Sequence, residues 1–110
     1  MVPTRQELQI LRILWKRRQS TVRGVYEEMR RTRRLAYTTV VTHMNLLERK
    51  GRLTKRQAGR AFIYTPVHSR EQVLQEMVEE FVDRVFEGSV PKLLRAARCI
   101  PSTSRPAKSV

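Results

Sequence analysis

The chain has 110 residues, room for one domain plus an extension, and its 23 Lys+Arg against 10 Asp+Glu give a formal charge of +13. That charge calls for a polyanion; an anionic membrane surface would match it, but no stretch nears the roughly 20 apolar residues of a membrane-spanning helix and no signal peptide opens the sequence, so membrane insertion is not expected and the expected compartment is a reducing cytoplasm. Cys99 is the lone cysteine, which excludes a disulfide framework and a thiolate metal cluster.

Charge is unevenly spread. Residues 1–66 hold 16 basic and 4 acidic side chains, residues 67–88 hold 2 and 6, and residues 89–110 hold 5 and none. The polyanion therefore belongs to the first two-thirds of the chain.

Thr4 stands three residues before Glu7, a capping box that predicts a first helix. Leu8, Leu11 and Trp15, with Ile10 and Leu14, give that helix a wide apolar face, and Lys16-Arg17-Arg18 suits its C-terminus. Ser20 or Thr21 caps a second, shorter helix, in which Val22, Val25, Tyr26 and Met29 fall at i, i+3, i+4 and i+7. The run Arg30-Arg31-Thr32-Arg33-Arg34 follows. It reads equally as a solvated turn or as a phosphate clamp, with Arg23, Arg31 and Arg33 as candidate backbone contacts.

The third helix carries the strongest functional signal. Val40, Met44 and Leu47 form an apolar stripe with His43 on its flank, whereas Thr38, Thr42, Asn45 and Arg49 share the opposite side. An ordinary solvated face would mix Glu with Lys. A short, hydrogen-bonding face with one cation and no acid instead suits base edges in a DNA major groove, with Asn45 able to pair bidentately with adenine. Gly51 stands where a left-handed residue ends a helix.

Beyond Gly51 the period changes to 2. Arg52–Gln57 and Ala61–Thr65 read as strands around Ala58-Gly59-Arg60, with Phe62 and Tyr64 on one face and Pro66 as the stop. Lys55, Arg56 and Arg60 are expected to crowd the hairpin tip as a phosphate-reaching wing, with Arg49 joining the same backbone-contacting set. Three helices followed by a basic hairpin make the winged helix-turn-helix plan. The expected fold is mainly α with a small β-hairpin wing.

Ser69 and Gln72 make another capping box, opening a helix expected to reach about Glu87. Leu74, Met77, Val78, Phe81, Val82, Val85 and Phe86 form a long stripe that the small winged domain is not expected to cover, so self-association is favoured over core packing. Gly88 breaks this helix, and Ser89 caps a short last one containing Leu93 and Leu94, which join the same candidate dimer interface. The expected division is a DNA-binding domain over 1–66, a helical dimerisation segment over 67–98 and a disordered tail over 99–110.

Little in the sequence suggests catalysis. His43 reads as a packed or hydrogen-bonded histidine, His68 precedes a helix cap, Cys99 has no companion to lower its pKa, and neither a Gly-rich phosphate loop nor metal-ligand spacing appears. No enzyme activity, cofactor or metal is expected. The alternative reading is a winged-helix protein–protein or RNA adaptor, although the third helix lacks the aromatic side chains that stack on single strands.

Several motifs together resemble the penicillinase-repressor family. They are Leu11-x-x-Leu14-Trp15, Thr21-Val22-Arg23-x-Val25-Tyr26, Ala36-Tyr37-Thr38-Thr39-Val40, Leu47-x-x-Lys50-Gly51, Arg60-x-Phe62-x-Tyr64 and Phe81-x-x-x-Val85-Phe86-x-Gly88-Ser89. The resemblance covers about residues 4–97. It implies a bacterial winged-helix repressor that dimerises through its C-terminal helices on a two-fold double-stranded DNA operator and is released by proteolysis linked to a membrane-bound sensor. It also implies that Thr38, Thr39, Val41, Thr42 and Asn45 occupy reading-helix positions and Arg60 the wing. Val41 stands where relatives that recognise the penicillinase operator commonly carry Arg. A branched apolar side chain can touch a thymine methyl but cannot grip guanine, so a different operator is expected. The family implies one more C-terminal helix where this sequence turns rich in Pro and Ser, and Cys99 alone cannot supply the metal site of the family's copper-responsive branch.

Overall fold

Local signals set the ends of nearly every element. The computed structural model describes residues 2–101, which fall into two units, one up to Leu74 and one from Gln75 onward. In the first, α1 (Arg5–Arg17) opens on a reciprocal cap: the Glu7 N–H donates to Thr4 Oγ1 at 3.2 Å, and the Thr4 N–H donates to Glu7 Oε1 at 3.0 Å. Thr21, not Ser20, caps α2 (Val22–Met29), its Oγ1 accepting from the Gly24 N–H at 3.1 Å. Ser20 serves the hairpin instead: its N–H donates to the Tyr64 carbonyl at 3.0 Å, and its carbonyl accepts from the Tyr64 N–H at 2.8 Å.

The third helix, α3 (Tyr37–Arg49), ends in a Schellman turn. Gly51 takes a φ of +83°, its N–H donates to the Glu48 carbonyl at 3.1 Å, and the Arg52 N–H donates to the Leu47 carbonyl at 2.9 Å. The chain then enters β1 (Leu53–Ala58), which pairs antiparallel with β2 (Ala61–Pro66) across the two-residue turn Gly59-Arg60. Gly59, with φ +66°, supplies the left-handed conformation at the first turn position.

Ile10, Leu11 and Leu14 of α1 pack with Val25 and Met29 of α2, Val40, Met44 and Leu47 of α3, and Leu53 and Tyr64 of the hairpin to form one buried cluster. Each element contributes the face that its sequence period assigns. Truncating a buried leucine here would cost about 2–5 kcal/mol. Within the same unit, the Trp15 indole N–H donates to the His68 carbonyl at 3.0 Å.

α4 (Arg70–Phe86) opens on the second reciprocal cap, Ser69 N–H to Gln72 Oε1 at 2.9 Å and Gln72 N–H to Ser69 Oγ at 3.1 Å. It runs on into the second unit and ends at Glu87 and Gly88, both with positive φ. There α5 (Val90–Arg98) follows, capped by Ser89 Oγ, which accepts from the Lys92 N–H at 3.3 Å. At the start of the tail expected over 99–110, two residues are tied to α5. Cys99 caps α5 through its N–H to the Ala96 carbonyl, and the Ile100 N–H reaches the Ala97 carbonyl, because helix-end carbonyls still need donors there. Residues 102–110 of that expected tail lie outside the described residues. On α4, Val73 and Val82 are buried and Leu74, Met77 and Phe86 are partly covered, whereas Val78, Phe81 and Val85 are exposed, as is Leu94 on α5.

Candidate nucleic-acid interface

Because Val40, Met44 and Leu47 are drawn into the core, α3 must turn its other side outward. Thr38, Thr42 and Arg49 are exposed on that side; Thr39 and Val41 are partly covered. His43 is satisfied locally, its Nδ1–H donating to the Thr39 carbonyl at 2.8 Å, which fixes the tautomer because a carbonyl only accepts.

Asn45 does not share the open strip expected for it. It is half-buried, and its Oδ1 accepts a hydrogen bond from the Tyr64 hydroxyl at 3.0 Å. On the wheel Asn45 lies at the edge of the polar strip, and in the fold the second wing strand closes over that edge. Tyr64 is 3% exposed. Burial, reinforced by the negative charge of Glu48 and by Tyr37, pushes its hydroxyl above the ordinary value of 10.0, so at neutral pH it stays protonated and donates.

A groove of about 620 Å³ opens between α2, α3 and the wing. It is lined by Arg23 of α2, by Tyr37, Val41 and Asn45 of α3, and by Lys55, Arg60 and Phe62 of the wing. The Lys55 ammonium sits 4.7 Å from the centre of the Phe62 ring, and the Arg23 guanidinium 5.9 Å from that of Tyr37. Tyr37 in turn meets Tyr26 edge-on, with ring centres 5.3 Å apart. Cations thus line a channel beside the hydroxyl-bearing face of α3.

The three wing cations do not crowd one tip. Lys55 pairs across the strands with Tyr64 and Arg56 with Ile63, so the two point to opposite faces of the hairpin, and Arg60 alone occupies the turn. Lys55 and Arg60 border the groove; Arg56 is exposed away from it.

The arginine run before α3 also separates into different roles. Arg33 Nη1 donates to Gln9 Oε1 of α1 at 2.8 Å, which makes it a tie between helices as well as a charge. Arg30 pairs with Glu27 at 3.4 Å and lies over the Tyr26 ring. Arg31 and Arg34 are exposed and, among the described residues, without a side-chain partner. Arg23 pairs with Glu27 at 3.2 Å yet keeps 71% of its side chain exposed, so a polyanion could still reach it.

Two ties that hold α3 were absent from the sequence reading. Tyr64 was recognised there only as part of a strand face, and its bond to Asn45 spans 19 residues. The carboxylate of Glu7, 1% exposed, accepts from Lys50 Nζ at 3.0 and 3.3 Å across 43 residues, binding the start of α1 to the end of α3. The only signal for it was that Glu7, a capping residue, lies one turn before Leu11 on the buried face.

Residues 3–98 match the family model described as "Penicillinase repressor". The chain belongs to the penicillinase repressor family. It is 25% identical over 88 residues to the penicillinase repressor of Bacillus licheniformis, a match covering 80% of this chain and 69% of that protein. It is 38% identical over 78 residues to the transcriptional regulator BlaI of Mycobacterium tuberculosis, where the match covers 69% of this chain and 56% of the relative. The solution structure of the DNA-binding domain of the repressor BlaI superposes with a TM-score of 0.58 at 28% identity, covering 62% of this chain and 83% of that one. Three helices and an antiparallel hairpin are thus the winged-helix architecture of this penicillinase repressor family member. Among its described residues, no helix is long and apolar enough to cross a membrane.

Proposed function

We propose that this chain is a sequence-specific repressor that binds double-stranded DNA as a homodimer on a two-fold operator and occludes a promoter. One observation carries the reading: the exposed Thr38, Thr42 and Arg49 of α3 stand beside a groove bordered by Arg23, Lys55 and Arg60. The hydroxyls can meet base edges in the major groove, while Arg49 and the flanking cations meet the phosphates on either side. Family membership and the likeness to a repressor's DNA-binding domain support the same conclusion. In this reading Thr38, Thr39, Val41, Thr42 and Asn45 face bases, and Arg23, Arg31, Arg33, Arg49, Lys55, Arg56 and Arg60 serve the backbone.

Residues 1–66 carry recognition and residues 67–98 carry self-association. Support for the second assignment is the exposed apolar row Val78, Phe81 and Val85, with Leu94 on α5, since single exposed apolar residues are ordinary but a helical row of them is a contact surface. Leu74, Met77, Phe86 and Leu93, which are only partly covered, complete the interface, whereas Val82 is already buried within the chain and adds no surface to it. Two recognition helices related by a two-fold axis would read half-sites about 34 Å apart or a multiple of that. Release through proteolysis linked to a membrane sensor rests on family membership alone.

Selection of bound sequences from random duplexes tests the proposal directly. A palindromic consensus is the expected outcome. Retention of single strands in preference to duplexes would overturn it in favour of an adaptor or RNA-binding role.

A further inference from the structure

Asn45 was expected to pair with adenine through both ends of its amide. That pairing needs the oxygen to accept from N6 while the nitrogen donates to N7. Here the oxygen is turned to the Tyr64 hydroxyl at 3.0 Å. Tyr64 is itself buried and is held by its pairing with Lys55 and by two backbone bonds to Ser20, so the donor cannot simply swing aside. The amide nitrogen of Asn45 donates to nothing among the described residues, and the side chain lines the groove.

We infer that Tyr64 fixes the Asn45 amide with its oxygen inward and its two N–H donors toward the duplex, making Asn45 a donor-only reader that selects guanine over adenine at one position of each half-site. The inference rests on the DNA-binding reading above and refines it. Guanine offers two acceptors in the major groove, O6 and N7, whereas adenine offers N7 beside a competing N6 donor. An N–H facing the adenine N6 group leaves two donors opposed with no acceptor between them, a penalty expected to reach about tenfold in affinity. Tyr64 acts here as a positioning residue and touches no base.

The test compares sequence selection from random duplexes for the full chain, Asn45→Asp and Tyr64→Phe, with binding to a fixed non-cognate duplex as the control. The full chain should enrich guanine over adenine about tenfold at one position per half-site. Asn45→Asp, an acceptor in place of a donor, should abolish that enrichment and shift the position toward cytosine, whose N4 donates. Tyr64→Phe frees the amide to turn, so adenine should rise to within about twofold of guanine there. For Tyr64→Phe the other positions and the non-cognate affinity should be unchanged, which loss of folding would not allow, whereas the added charge of Asn45→Asp should lower affinity for every duplex and leave the preference at other positions intact. Adenine enriched by the unsubstituted chain, or an identical consensus from Tyr64→Phe, would overturn the inference while leaving DNA binding intact. Absence of any enriched sequence would overturn the broader reading with it.

Discussion

Lys50→Ala probes the tie on which the placement of α3 most depends. Glu7 is 1% exposed, and its carboxylate accepts from Lys50 Nζ and from the Thr4 N–H, whereas the Lys50 side chain is 29% exposed. Removing the ammonium leaves a buried anion with a single remaining donor. Breaking a fully buried pair costs about 3–5 kcal/mol. Lys50 lies nearer the surface, so water can enter the vacated space, and about 2–3 kcal/mol is the expected loss. For a unit of this size that lowers the thermal midpoint by roughly 10–20 °C. Trp15, the chain's single tryptophan, lies in the same unit and reports its unfolding by fluorescence in urea. The double variant Glu7→Gln/Lys50→Met removes both charges while the glutamine oxygen still accepts from Thr4, and it should recover most of the loss. A loss under about 1 kcal/mol for Lys50→Ala, or a double variant as unstable as the two single losses combined, would refute the reasoning.

Gly24→Ala should destabilise the fold by about 1–3 kcal/mol, although alanine is the better helix former, because the new Cβ would run into Ser20 Oγ and crowd the Arg17 guanidinium; Ser20→Ala in the same chain should restore most of the urea midpoint. The Glu28 carboxyl is held below its ordinary value of 4.5, mainly by its hydrogen bond to Lys16 and also by Arg17, against the opposing effect of burial. Its contribution to stability is therefore complete above about pH 4.5 and lost as pH falls through the lower folded value, and Glu28→Gln should flatten the acid limb of urea midpoints measured from pH 7 to pH 3. Arg60→Ala should weaken every duplex alike and reduce the log–log salt slope of binding by about 0.9, measured by fluorescence anisotropy across salt. Phe81→Glu should yield monomers by light scattering with weakened operator binding; a retained dimer would move the interface elsewhere.

What the sequence made legible was what it encodes within a few residues. Both reciprocal caps, the Thr21 and Ser89 caps and the left-handed Gly51 and Gly59 are set by neighbours one turn away, and the inward faces follow from a 3.6-residue period. The candidate interface was legible to the same depth: the wheel separates Thr38, Thr42 and Arg49 from the core. It could not say what flanks each edge of the strip. That information lies 19 residues away for Asn45 and Tyr64, 24 for Arg33 and Gln9, and 43 for Lys50 and Glu7. The wing shows the same limit in another form. Whether Lys55 or Arg56 faces the groove depends on the parity of strand pairing, and a three-residue turn in place of the observed two-residue one alters that register.

Those distant ties have a common consequence. α3 is held near its start by Tyr37 against Tyr26 of α2, in its last half by Asn45 against Tyr64 of β2, and just past its end by Lys50 against Glu7 of α1. Three different elements thus set its position before any ligand arrives. A face fixed in this way loses little conformational freedom on binding, so each base contact contributes nearly its full discrimination. A misplacement of about 1 Å would affect every contact together. Substitutions at Tyr26, Tyr64 or Glu7, the partners that hold α3, should therefore alter sequence preference without touching DNA, whereas substitutions at Arg23, Lys55 or Arg60 should alter affinity alone.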